Sequence, residues 1–179
     1  MIIGDGDYSA YQKLAQELGI AEQVLFTGVQ MNPFALLAKA DVYALTSDSE
    51  GFPNALIEAM AVGLPCVSVN CKTGPAEILQ NDYQQCAAQD KVYHADYGIL
   101  TPVFYGGKNL DASMISQEEE IFAGELVELL LNQKLMASYR NKALYRANQF
   151  GVDAYVREID RLIVQELEWP EVENVGQQE

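Results

Sequence analysis

The chain has 179 residues, 49% of them hydrophobic, which is the size and apolar content of one domain with a packed core. Eleven Lys and Arg against 26 Asp and Glu give a formal charge of −15, which argues against binding a nucleic acid or an anionic membrane surface. Cys66, Cys71 and Cys86 have neither metal-ligand spacing nor disulfide-scaffold density, and the apolar runs stop short of the roughly 20 residues of a membrane span. The expectation is a cytoplasmic protein with no signal peptide, attached at most peripherally to the inner face of a membrane. Net acidity does not exclude a small anion, because the free N–H groups of a helix start hold phosphate locally.

Met1-Ile2-Ile3 opens the chain as a strand and breaks at Gly4-Asp5-Gly6-Asp7. A pattern then repeats. The spacing predicts a helix over 8–18, a strand over 24–26, a helix over 33–39, a strand over 42–45, a helix over 53–62 and a strand over 66–69. Short apolar strands alternating with helices read as a parallel sheet of about five strands covered on both faces. A short helix follows Thr73-Gly74-Pro75 to Leu79, then a polar stretch over 81–97 reads as a surface insertion. Residues 97–103 form the last strand, Gly106-Gly107 opens a loop, and 118–168 carries two or three helices. Pro170 ends the last of these, so the expected organisation is one domain over 1–168 and a disordered acidic tail over 169–179.

Residues 46–58 leave a buried strand, pass a polar turn and enter a helix, the place where open α/β sheets bind ligands. Pro53 suits the first helical turn, which would leave the N–H groups of Asn54, Ala55 and Leu56 free for a diphosphate. Glu50 lies three residues before Pro53, Glu58 lies in the second helical turn, and carboxylates accept strongly from vicinal sugar hydroxyls. Gly51, lacking a Cβ, admits a ligand close to the backbone. The competing account is plain: Glu50 as a solvated loop acid and Glu58 as a favourable charge near a helix start.

Other signals are weaker. Gly4-Asp5-Gly6 lacks the full dinucleotide-binding pattern and reads as a strand-to-helix turn, with lining of the cleft as the alternative. His94 reads as a surface residue, Cys66 as core, Lys72 as solvated with phosphate contact as the alternative, and Glu118, Glu119 and Glu120 as a helix start.

Glu50 and Glu58, in the context Ser49-Glu50-Gly51-Phe52-Pro53-Asn54 and followed by Glu58-Ala59-Met60-Ala61-x-Gly63-x-Pro65, resemble the signature of family 4 (group 1) retaining glycosyltransferases. Ile3-Gly4-Asp5-Gly6, Phe26-Thr27-Gly28, Ala40-Asp41-Val42, Gly74-Pro75-Ala76-Glu77-Ile78 and Tyr97-Gly98-Ile99-Leu100 extend the resemblance to about Phe150.

The resemblance implies the Rossmann-like C-terminal half of a GT-B fold, without the N-terminal acceptor domain, the first strand, or the phosphate-binding arginine and lysine of that region. It implies that Glu50 contacts the donor sugar, Glu58 the ribose, the stretch Gly51, Phe52, Pro53, Asn54, Ala55 and Leu56 the sugar and phosphates, and Val29 the base. The implied reaction transfers a hexose or N-acetylhexosamine, with retention, from a UDP-sugar to a glycan or lipid-linked acceptor in capsule, O-antigen or related polysaccharide synthesis. The leaving phosphate assists deprotonation of the acceptor, no metal or other cofactor is needed, and the last helices pack toward the missing domain. The isolated half is expected to bind donor and transfer nothing. The alternatives are a non-catalytic nucleotide-sugar-binding or interaction module, a GT-B phosphorylase, or a nucleotide-sugar epimerase.

Overall fold

In the computed structural model, which describes residues 1–86, 90–104 and 110–167, three parallel strands run through the centre of the chain. They are β1 (Tyr43–Leu45), β2 (Cys66–Val69) and β4 (Ile99–Thr101); β3 (Tyr93–His94) adds an antiparallel edge, giving the order β1-β2-β4-β3. The helices are α1 (Ser9–Glu17), α2 (Phe34–Leu37), α3 (Asn54–Ala61), α4 (Pro75–Leu79), α5 (Gln117–Leu131), α6 (Gln133–Asn148) and α7 (Val152–Leu167). The Gly106-Gly107 loop and the tail over 169–179 lie outside the described residues.

Strand alternation divides the core. All four residues of β2 are buried, with Cys66 and Leu100 facing a cluster built by α3, α4 and the end of α6, while Val67, Val69 and Ile99 face Phe122, Leu129, Met136 and Tyr139. Side chains on successive strand positions point to opposite faces, which is why one buried strand feeds two cores. Helix α3 presents Leu56, Ala59 and Met60 inward, at the three- and four-residue spacing of one helix face, and none of the three is exposed. It stops at Gly63, whose φ of 78° lets the Gly63 N–H reach the Met60 carbonyl at 2.9 Å and the Leu64 N–H reach the Ala59 carbonyl at 3.1 Å. Helix α5 starts on a capping box: Ser116 Oγ accepts from the Glu119 N–H at 3.2 Å and the Glu119 carboxylate accepts from the Ser116 N–H at 2.7 Å.

Two expectations change. The apolar runs at 1–3 and 24–26 do not extend the sheet; they meet in a single parallel bridge between Ile2 and Phe26, apart from the four-stranded sheet. The expected parallel sheet of about five strands is therefore, among the described residues, a mixed sheet of four. The polar stretch over 81–97 is not wholly irregular either, because the Ala95 N–H donates to the Gly98 carbonyl at 2.9 Å and folds Tyr93–His94 back onto β4 as a hairpin. The helical region holds three helices, of which α7 leaves Val152, Tyr155, Val156, Ile159, Leu162, Ile163 and Val164 all exposed.

Candidate functional site

Parallel strands put the residues that follow them at one edge of the sheet. The loops after β1 (46–53) and after β2 (70–74) meet there, and the contacts between them are close. The Thr73 hydroxyl donates to the Glu50 carbonyl. Gly74, at φ 94°, lies so near that a Cβ built on it would stand 2.5 Å from Pro53 Cδ and 3.0 Å from the Gly51 carbonyl oxygen. The second loop therefore seats the first, a relation that the spacing of neither segment reveals.

Pro53 is the N-cap of α3, one residue earlier than the helical turn expected of it. Its φ of −72° is helical but its ψ of 92° is extended. The Pro53 carbonyl accepts from the Leu56 N–H at 3.0 Å, so Leu56 does not offer a free donor, and its side chain is wholly buried. Asn54 and Ala55 are exposed residues at the helix start, and among the described residues no partner meets their N–H groups. The anion-binding capacity expected of three amides thus rests on two. Phe52 is 45% exposed, with its ring edge-on to Phe150 at 5.5 Å between centroids.

Glu50 and Glu58 are both half-buried, and the phenol of Tyr43 feels both. Burial raises the Tyr43 pKa to about 12, and the charges of Cys66, Glu50 and Glu58 add to the rise in that order. Two carboxylates eight positions apart in sequence thus both act electrostatically on one strand residue, which reads from sequence only as an apolar-strand aromatic. Glu58 also lines a cavity of about 300 Å³ bounded by Phe34, Ile57, Ala61, Leu144, Ala147, Asn148, Phe150 and Gly151. Cys71 is buried beside this loop; desolvation first and the Glu50 charge second push its thiol up, although backbone hydrogen bonds pull it down.

Val29 follows the Ile2–Phe26 bridge and is 68% exposed. The Gly4-Asp5-Gly6 turn is tied to its own neighbourhood, with the Tyr8 hydroxyl donating to the Gly4 carbonyl and the Tyr8 ring 5.0 Å from Phe26. Lys72 is exposed. His94 lies on the edge strand with Nε2 3.1 Å from a Glu125 carboxylate oxygen, away from the loops. No three His, Cys, Asp or Glu side chains cluster as metal ligands among the described residues.

Tyr43 makes this wall of the sheet sensitive to alkali. A folded pKa of about 12 against an ordinary value of 10.0 means that folding favours the neutral phenol. That stability is whole below pH 10 and is lost as pH rises toward 12, and Tyr139, also raised to about 12 by burial, acts with the same sign. The urea midpoint is expected to fall between pH 10 and 12, and Tyr43→Phe to flatten the fall; an unaltered slope in that variant would refute the assignment.

A model of the family described as glycosyl transferases group 1 matches residues 1–95. The chain is 33% identical, over 167 residues, to an uncharacterized glycosyltransferase of Methanocaldococcus jannaschii, covering 91% of this chain and 41% of that protein. It is 40% identical over 86 residues to a lipopolysaccharide 1,6-galactosyltransferase of Escherichia coli K12, covering 45% of this chain and 24% of that protein. Among solved structures, Anabaena HepE in complex with UDP matches with a TM-score of 0.60 at 26% identity, covering 91% of this chain and 40% of that one. The chain spans less than half the length of these proteins.

Proposed function

This chain belongs to the family of group 1 glycosyl transferases, and from that membership we propose that it is the donor-binding half of a retaining GT-B glycosyltransferase using a UDP-sugar. The observation that carries the reading is the half-buried pair Glu50 and Glu58 flanking the start of α3, with the unpartnered amides of Asn54 and Ala55 between them in sequence. Carboxylates take hydroxyl donors and a helix start takes phosphate, and a nucleotide sugar presents both in one molecule.

In this reading Glu50 accepts from hydroxyls of the donor sugar and Glu58 from those of the ribose. The Asn54 and Ala55 N–H groups hold the diphosphate, Gly51, Phe52 and Pro53 allow its close approach, and Val29 flanks the base. Leu56 supports the helix from beneath. Charge grows on the departing diphosphate in the transition state, so donors already aimed there lower the barrier. The leaving phosphate helps deprotonate the acceptor, and neither a protein base nor a metal is invoked. The UDP complex of HepE supports the choice of nucleotide, and the lipopolysaccharide enzyme of E. coli supports a role in bacterial polysaccharide synthesis. The acceptor site belongs to a further domain, onto which the exposed apolar stripe of α7 packs, so the present chain binds donor without transferring sugar.

Calorimetry of the 179-residue chain against UDP, GDP and ADP tests the proposal. UDP is expected to bind most tightly, and Glu58→Ala to weaken it about 10- to 100-fold, the effect of losing a charged hydrogen-bond partner. Undiminished affinity in that variant would remove Glu58 from the ribose, and a preference for GDP would overturn the choice of donor.

A further inference from the structure

Phe150 lies two residues beyond the end of α6, in the turn before α7. Its ring is edge-on to Phe52 at 5.5 Å and an interplanar angle of 70°, the favoured geometry of an aromatic pair. The Arg146 guanidinium covers Phe150 at 4.9 Å from the ring centroid and Tyr97 at the same distance. Phe150 also lines the cavity that Glu58 lines.

Arg146 is itself fixed. Its Nε donates to the Ile78 carbonyl at 2.8 Å, its Nη2 to the Glu77 carbonyl at 2.8 Å, and its Nη1 to Gln149 Oε1 at 2.6 Å. The Glu77 and Ile78 carbonyls lie in the last turn of α4, whose N-cap is Gly74, the residue packed against Gly51 and Pro53. The loop 50–53 is thus held from two directions by one rigid unit: through Gly74 at one end of α4, and through Arg146, Phe150 and Phe52 from the other. Phe52, otherwise 45% exposed, takes its ring orientation from this second arm.

We propose that Phe150 is a positioning residue for the donor loop, acting on the bound nucleotide sugar through Phe52 rather than by touching it. The inference rests on the donor-site reading above. It assigns the turn between α6 and α7 a role in binding that the motif from Glu50 to Glu58 does not include.

The test is UDP calorimetry of the 179-residue chain with Phe150→Leu, Phe150→Tyr, Phe52→Ala and the double variant Phe52→Ala/Phe150→Leu, each checked for cooperative thermal unfolding. Phe150→Leu keeps apolar bulk and loses the ring, so it is expected to bind UDP about 3- to 10-fold more weakly, in line with the value of an aromatic pair. Phe150→Tyr keeps the ring and should bind as the parent does. The double variant should bind no more weakly than Phe52→Ala alone, because Phe150 acts only through Phe52. Should Phe150→Leu fail to fold, Phe150→Met, unbranched and close in volume, takes its place. Parent-like affinity in a folded Phe150→Leu chain, or losses that multiply in the double variant, overturns the positioning role while leaving the donor site standing. A parent chain that does not bind UDP overturns the donor-site reading, and this inference falls with it.

Discussion

Gly74→Ala is expected to cost about 3 kcal/mol of stability and to abolish UDP binding, from a single added methyl group. Two costs combine. The backbone at φ 94° and ψ −68° is open to glycine and strained for any residue with a Cβ, and strain of that kind costs about 1–3 kcal/mol. The new methyl would also stand 2.5 Å from Pro53 Cδ and 3.0 Å from the Gly51 carbonyl oxygen, with no flexible side-chain end to give way. Forcing such a fit typically costs about 1–3 kcal/mol more, and it separates the two loops that form the site. Gly51→Ala is the control. A Cβ on Gly51 meets nothing within 4 Å, so stability should stay within about 0.5 kcal/mol of the parent, and any loss of affinity reports ligand approach alone. Denaturant midpoints and calorimetry on both variants decide the matter, and a Gly74→Ala chain with the parent's midpoint would refute the packing argument.

Arg146→Ala is expected to cost about 3 kcal/mol or more, because one side chain satisfies several groups that water reaches poorly. The last carbonyls of a helix have no partner within it, and in α4 those of Glu77 and Ile78 are met by Arg146 at 2.8 Å each. Burial lowers the guanidinium pKa from its ordinary value, and the neighbouring Tyr97, Asp96 and Tyr145 offset some of that. Arg146→Lys should recover less than half of the loss. A single ammonium cannot stack on Tyr97 and Phe150 while reaching both carbonyls, whereas the planar guanidinium does. Urea unfolding measures both variants, and full recovery by lysine would show that charge alone matters.

Much of this was legible in the chain itself, and the misses have local reasons. Helix α3 could be found from Pro53 before it and Gly63 after it, since both residues restrict or permit particular backbone angles. Proline fixes φ and leaves ψ free, however, so the extended ψ of Pro53 and the consequent use of the Leu56 N–H had no signature. The apolar runs at 1–3 and 24–26 are strand-like in composition, but pairing depends on which neighbours are present, and there they bridge at one position. The two-residue strand β3 is too short for periodicity to mark; its signal lay in the turn from Ala95 to Gly98. Glu50 and Glu58 were recognisable by their context. Tyr43 and Arg146 were not, because an aromatic in an apolar strand reads as filling and an arginine in a helix reads as solvated. What each does depends on contacts distant in sequence, Cys66 for Tyr43 and the end of α4 for Arg146.

The bridge between Ile2 and Phe26 joins a segment that buries far less than the central strands do. Among residues 1–42 only Ala15 and Leu37 are buried, whereas every residue from Leu64 to Cys71 is. Local opening follows buried apolar contact, so the segment before β1 stands near the low end of the stability range and the central strands near its top. On that ground the backbone amides of the segment bearing Val29 are expected to exchange with solvent faster than those of the central strands.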